Sequence, residues 1–223
     1  MADTLKTAAL FNCKTEYLAP LFAMGEYPWE ILPKIKDYVE DLIQKGMPGF
    51  TKLKDNVLVG ENVTVHPTAV IEGPTILGPG TQVRPGAYIR GTVITGPDCV
   101  IGNATELKNC VLSKGVEVPH YNYVGDSVLG EGAHMGAGAV CSNLKADKKP
   151  VVIHGEVPIK TGLRKLGGII GDGGDVGCNC VLNPGTVIGK NTAVYPLVSL
   201  RGVYPDNSIV KATHKVVAKE ERI

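Results

Sequence analysis

Between residues 59 and 200 an apolar side chain returns at nearly every sixth position. Val59, Val65, Ile71, Leu77, Val83 and Ile89 are spaced by six without exception, Thr95 interrupts, and Ile101 and Leu107 return in phase. After one-residue slips the series continues as Leu112, Val118, Val124 and then Leu129, Met135, Cys141. A second strict run closes the body with Ile170, Val176, Leu182, Ile188, Val194 and Leu200. A period of six is neither the 3.6 of an amphipathic helix nor the 2 of a half-buried strand. It fits a unit of one short strand and one corner, so that three units close a three-sided coil of about 18 residues with one apolar side chain pointing inward per side.

The fold class this predicts is mainly β, a left-handed parallel β-helix of hexapeptide-repeat coils, an exception to the right-handed crossover preference. The inward positions make about seven coils, hence a prism of roughly 33 Å at the ~4.8 Å strand spacing. Small residues such as Gly60, Gly78, Gly102, Gly136, Gly171, Gly177 and Gly189 follow the inward residue, where the reading places tight turns.

The first 50 residues are of a different kind. They hold all three Phe and the only Trp, whereas 25 of the 28 Gly lie beyond them. Ile31, Leu32, Ile35, Tyr38, Val39, Leu42 and Ile43 recur at helical spacing between Pro28 and Gly46, and a shorter helix is expected around residues 15–24. About 50 residues bury too little to stand alone, so both helices should pack on the body. The expected organisation is an N-terminal helical appendage at 1–55, the β-helix at 56–205 and a C-terminal tail at 206–223. The hexads lapse between Cys141 and Ile170, predicting a looped-out segment at 142–169. From Leu144 to Gly168 this segment carries Lys145, Lys148, Lys149, Lys160, Arg164 and Lys165 against Asp147 and Glu156. It reads either as a solvated loop or as a phosphate clamp over the prism wall.

Charge narrows the partners. A formal net charge of +1 gives no general basic field for nucleic acid, so none is expected as a partner. No apolar run approaches the ~18 residues that span a bilayer and no signal-peptide pattern opens the chain, so no membrane partner and a cytoplasmic location are expected. Six cysteines in such a chain read as buried thiols. Cys178-Asn179-Cys180 lacks a second pair or a histidine spacing that would complete a zinc set, so no metal site is expected.

At the centre of the repeats lie Gly102-Asn103-Ala104-Thr105-Glu106-Leu107-Lys108, Pro119-His120-Tyr121-Asn122-Tyr123-Val124-Gly125-Asp126, Met135-Gly136-Ala137-Gly138 and Ser142-Asn143. These segments resemble the acetyltransferase half of the bifunctional bacterial enzymes that N-acetylate glucosamine 1-phosphate and then uridylylate it. They also resemble the C-terminal part of archaeal sugar-phosphate nucleotidyltransferases, to which the basic loop is closer. The resemblance covers roughly residues 57–205. It lacks the Gly-rich nucleotide loop, so no uridyltransferase activity is expected.

An imidazole can take a proton at neutral pH from an amine attacking a thioester, and the resemblance gives that role to His120. It places sugar-phosphate contacts at Arg90, Lys108 and Tyr123, and contacts to the substrate amine region, the acetyl donor or the phosphate at Asn143 and Lys149. Arg90 and Lys108 each follow an inward residue, 18 positions apart, and should stack to grip one phosphate. Gly136, Ala137 and Gly138 are the expected acetyl-CoA contacts, with backbone N–H groups for the thioester oxygen, although corner glycines serve the fold as well. His66, His154 and His214 have no such context and read as surface residues. His134 and Leu144 depart from the bifunctional enzymes, which have Asn and Tyr there. Cys141 is an inward residue, which favours direct transfer over an acyl-cysteine.

The expected activity is acetyl transfer from acetyl-CoA to the amino group of glucosamine 1-phosphate or galactosamine 1-phosphate, by a homotrimer with no tightly bound cofactor or metal. The alternatives are a nucleotide-linked amino-sugar acceptor and a non-catalytic scaffold or sensor that binds sugar phosphate. A carbonic-anhydrase-like metal site would need three converging imidazoles, and the histidine spacing does not supply them.

Overall fold

A computed structural model of the chain describes residues 3–212 and 216–218; His214 and the rest of 213–215 and 219–223 in the expected tail lie outside the described residues. The body is a parallel β-helix of three walls, the left-handed hexapeptide solenoid expected from the repeats. The first wall runs from Val57–Gly60 through Thr75–Leu77 and Val93–Thr95 to Gly168–Ile170, Thr186–Ile188 and Val203–Tyr204. The second runs from Thr64–Val65 through Glu117–His120 to Ala193–Val194 and Ser208–Val210. The third begins at Val70–Glu72 and ends at Ser199–Leu200.

The first two walls each hold eight parallel strands, so the prism is one coil longer than the inward count gave. The additional pairing comes at the end: Ser208–Val210 still stacks on Ala193–Val194, past residue 205 where the repeats were expected to stop. An antiparallel strand covers the edge at both ends, Phe50–Lys54 on Val57–Gly60 and Val216–Ala218 on Ser208–Val210. Such covers prevent edge-to-edge association.

The inward residues form one continuous core. Leu77, Ile89, Ile101, Leu107, Val118, Val124, Met135 and Cys141 are inaccessible to solvent, as are Ile170, Leu182 and Leu200. Thr95, which breaks the apolar series, points inward as well. Its hydroxyl accepts the Gly78 N–H at 2.8 Å, so the polar atom is satisfied where it is buried. The glycines after the inward residues serve a purpose other than the expected turns. A Cβ on Gly102 would stand 1.6 Å from the carbonyl oxygen of Pro119 on the next coil, so these positions admit close coil-to-coil approach. The left-handed corner conformations fall elsewhere, for example at Gly80 and Tyr121.

The one-residue slips have a structural meaning. Leu107 pairs with Val124 and Val124 with Cys141, so each of these coils is one residue short of 18. One corner has been drawn tight. In consequence Glu106–Leu112 and Tyr123–Leu129 run without interruption from the third wall into the first, turning at Asn109 and Asp126 with positive φ.

A second core lies outside the first wall. Leu58, Ile76, Ile94, Val111, Val128, Ile169 and Val187 point outward in a column and are covered by the N-terminal residues Leu10, Leu18, Leu21, Trp29, Ile31, Ile35 and Val39. The expected helix between Pro28 and Gly46 is two elements, a 3-10 segment Pro28–Lys34 followed by an α-helix Ile35–Lys45, because Pro33 supplies no N–H to an α-helical ladder. Of the expected helix around 15–24, only one turn forms, at Ala19–Phe22. The extended stretch before it follows the prism edge: Asn12 N–H donates to Asp172 at 2.7 Å and the Tyr17 hydroxyl to the Thr95 carbonyl at 2.9 Å.

The looped-out segment also packs inward. Val152–Ile153 pairs antiparallel with Ile159–Lys160, and Val151, Ile153 and Leu166 are fully buried in the outer core. A purely solvated loop is excluded by that burial. Among the described residues no helix is long and apolar enough to cross a membrane.

Candidate active site

His120 ends a strand of the second wall and stands exposed at the corner leading into the third. Tyr121 follows with φ of 52°, so the chain turns sharply there. The turn is fixed from beneath by Asn122, which is 2 % exposed. Its Oδ1 accepts the His120 N–H at 3.0 Å, and its Nδ2 donates to the carbonyls of Gly136 at 2.8 Å and Ala139 at 3.1 Å. One buried amide thereby joins the His120 corner to the Gly136-Ala137-Gly138 corner on the next coil. The His120 imidazole itself makes no hydrogen bond or ion pair with another described residue.

The Gly-Ala-Gly corner lies beside His120, since the Gly138 N–H donates to the His120 carbonyl at 3.0 Å. That bond corrects one expectation. The Gly136 N–H is likewise taken, by the Val176 carbonyl at 2.7 Å, so neither glycine amide is available to a thioester oxygen. The Ala137 N–H alone of the three has no partner among the described residues. Gly138 has φ of 72°, in the left-handed region, so the corner conformation itself calls for glycine there.

Across the third wall, the tightened corner assembles the other expected residues. Lys108 Nζ donates to Asp126 Oδ1 at 3.2 Å, Asn109 Nδ2 donates to the same oxygen at 2.8 Å, and Asn143 Nδ2 donates to Asp126 Oδ2. Asn143 Nδ2 also lies 3.1 Å from the Tyr123 hydroxyl. Burial, reinforced by the Asp126 carboxylate, holds the Tyr123 phenol above its ordinary pKa, so it stays a neutral donor. Tyr123, Asn143 and Lys108 therefore form one half-buried polar network around Asp126.

Arg90 and Lys108 do lie on adjacent coils, because Ile89 pairs with Leu107. Each already has a carboxylate, however: Arg90 pairs with Glu106 at 2.7 Å and Lys108 with Asp126. A phosphate reaching them must share or displace those partners. Lys149 is not brought to this network by any described contact; its backbone N–H donates to Asp147 and its side chain is exposed.

The residue that sequence reasoning missed is Arg84. Val83 pairs with Ile101 and Ile101 with Val118, so Arg84 lies two coils from Pro119 on the corner that carries His120, with only the side-chain-free Gly102 between. Arg84 is half-buried and its guanidinium has no acidic partner among the described residues. Stepping back from His120 by coils, to Asn103 and then Pro85, would have found it. Cys141 is fully buried, and burial pushes its thiol up to about 11, which leaves no thiolate for acyl transfer. His134 makes a 2.8 Å contact with Asp175 on the second wall, away from the Tyr123 network.

A family model described as the GMPPB C-terminal domain matches residues 71–220. The protein named bifunctional protein GlmU of Methanococcus maripaludis is 36 % identical over 203 residues, covering 88 % of this chain and 48 % of the relative. A bifunctional sugar-1-phosphate nucleotidylyltransferase/acetyltransferase of Sulfurisphaera tokodaii is 36 % identical over 176 residues, covering 76 % and 43 %. The chain thus spans about half the length of the curated relatives it matches. Among solved structures, PerB from Caulobacter crescentus, in complex with CoA and GDP-perosamine, aligns at a TM-score of 0.43 with 19 % identity, covering 70 % of this chain and 56 % of that one.

Proposed function

From the premise that this chain belongs to the GMPPB C-terminal domain family, we propose that it transfers an acetyl group from acetyl-CoA to the amino group of a hexosamine 1-phosphate. The curated relatives, named as bifunctional sugar-phosphate enzymes with an acetyltransferase, support that reading. The observation that carries it is the corner itself: a His120 imidazole beside a backbone N–H at Ala137, both without a partner among the described residues. Acyl transfer to an amine needs those two groups, one to take a proton and one to stabilise the developing oxyanion.

In the proposed reaction the acceptor lies on the third wall, its hydroxyls facing Tyr123 and Asn143. Its amine attacks the thioester carbonyl, forming the C–N bond, while His120 removes the amine proton. The oxyanion points at the Ala137 N–H. Collapse breaks the C–S bond, and the proton held by His120 passes to the departing CoA sulfur. The stacking supports a donor path: Ala137, Cys178 and Pro196 rise above His120 along one edge and offer an extended pantetheine arm a run of small side chains. Arg84, with Lys108 and Arg90 across the wall and Lys149 from the loop, takes the acceptor phosphate. We further propose a homotrimer, checked by a sedimentation mass three times the 23.6 kDa of the chain.

The test is thiol release from acetyl-CoA with a panel of hexosamine phosphates. Turnover should fall by about 10²–10⁴-fold in His120→Ala. Arg84→Ala and Lys108→Ala should raise KM for the sugar phosphate more than KM for acetyl-CoA. Undiminished turnover in His120→Ala, or equal use of free and phosphorylated hexosamine, would overturn the reading.

A further inference from the structure

Above the Tyr123 network, between the third wall and the looped-out segment, lies a cleft of about 420 Å³, within the size range of small-molecule sites. Ser142, Lys145, Asp147, His154, Asn183 and Arg201 contribute its polar lining. We propose that this cleft binds the phosphate or diphosphate of a second phosphorylated group, with Arg201 and His154 as the anion-holding pair.

Charge accounting within the lining points to an anion. Asp147 is already satisfied, by Lys145 Nζ at 3.2 Å and by the Lys149 backbone N–H at 3.1 Å. Asn183 gives its amide hydrogens to Ser199 Oγ at 3.0 Å and to the Leu200 carbonyl at 2.8 Å, so it stiffens the wall and has no donor left over. Arg201 has no carboxylate partner among the described residues. Its guanidinium donates to His154 Nε2 at 3.0 Å, a contact that exists only when that imidazole is neutral and accepting. A permanent positive charge is thus parked against a neutral ring at the mouth of a concave site. A phosphate oxygen would replace the imidazole as acceptor in a forked, charge-assisted arrangement, and the freed neutral ring would turn its own N–H to the anion as a second donor.

The location separates this site from the acceptor phosphate already proposed. Leu200 pairs with Leu182 and Leu182 with Cys141, so Arg201, Asn183 and Ser142, each one residue later, rise coil by coil along one corner. Cys141 pairs with Val124 and Val124 with Leu107, which puts Lys108 two coils further down. Four coils at ~4.8 Å place Arg201 roughly 19 Å from the Lys108 level, beyond the reach of a single phosphate held by both. The same chemistry could be presented by a free nucleotide-like effector or by the far end of a nucleotide-linked acceptor.

Calorimetric titration of the full chain with inorganic pyrophosphate, and separately with uridine diphosphate, tests the site. Both should bind the wild type, and Arg201→Ala should weaken each by roughly ten- to hundredfold, the range for one charge-assisted hydrogen bond. Arg201→Lys should restore part of the loss, and Lys36→Ala, on the exposed face of the N-terminal helix, should leave binding unchanged. Arg201 is exposed, so the variants should keep the wild-type melting temperature. The source is then read from kinetics: Arg201→Ala raises KM for a nucleotide-linked amino sugar if the cleft holds the acceptor's own diphosphate, and changes no acceptor KM if it holds an effector. Absence of pyrophosphate binding to the wild type would overturn the proposal, as would binding that follows Lys108→Ala or Arg84→Ala and ignores Arg201→Ala. The binding arms need no acetyl transfer, so they stand whether or not the proposed reaction does.

Discussion

Replacing Asn122 by alanine should loosen the His120 corner at a cost that can be worked from its hydrogen bonds. The side-chain amide serves three backbone groups, the His120 N–H and the Gly136 and Ala139 carbonyls, in a site 2 % exposed. Alanine leaves all three without that partner. At about 1 kcal/mol for each hydrogen bond lost, with the Gly136 carbonyl keeping the Ala139 N–H, Asn122→Ala should destabilise the chain by about 3 kcal/mol. For a chain of this length that corresponds to a melting temperature lower by roughly 6–12 °C. Thiol release at 20 °C, where the variant remains folded, should show kcat reduced at least tenfold if His120 is the proposed base, because its corner is no longer fixed. Asn122→Asp supplies the sharper comparison. It keeps the shape and the acceptor for His120 but sets a carboxylate oxygen against two carbonyls, so it should be as unstable as the alanine variant at pH 8. It should recover part of its stability as the pH falls and the carboxyl gains a proton to donate. A wild-type melting temperature in Asn122→Ala, or an Asn122→Asp variant indifferent to pH, would refute the clamp.

Two further expectations concern other groups. Under native conditions at pH 8, exposed Cys178 should react with iodoacetamide within minutes, while Cys141 and Cys99, whose thiols burial pushes up to about 11 and about 12, should react only after unfolding; peptide mass mapping separates the two classes. His134 is raised above its ordinary pKa by its hydrogen bond to Asp175, against some desolvation. A raised folded-state value means a contribution fully present below the unfolded histidine pKa and lost as the pH rises through the folded one. His134→Asn should therefore lower the melting temperature at pH 5.5 and leave it unchanged at pH 9, and a difference that persists at pH 9 would show that the contact is not charge-dependent.

The prism was legible because each inward residue is fixed by geometry alone: a strand-and-corner unit buries one side chain, whatever lies outside. Even the slips at Leu112 and Leu129 carried information, since they mark the tightened corner where Lys108, Tyr123 and Asp126 meet. The outer core was equally present as Leu58, Ile76, Ile94, Val111 and Val128, at intervals of a whole coil, but a six-residue search does not see an 18-residue column. Charges were harder. The repeat places Arg90 and Lys108 side by side but hides their carboxylates, Glu106 and Asp126, which lie 16 and 18 positions away and meet them only through the winding. The basic loop misled in a similar way: its lysines dominate the composition, whereas Val151, Ile153 and Leu166 decide where it packs.

A repeat array held only by contacts between neighbours can gain or lose a unit anywhere along its length. This one cannot. The N-terminal segment lies as a splint across the outward column from Leu58 to Val187, with its side chains seated against particular coils. An 18-residue duplication inserted between those coils would slide part of the wall past the splint by about 4.8 Å and unseat every contact on one side of the insertion. A duplication placed after Val203, between the last wall strand and the closing Ser208–Val210 strand, would leave the splint untouched. The helical segment therefore sets a gauge for the first seven coils and confines any growth of the prism to its far end.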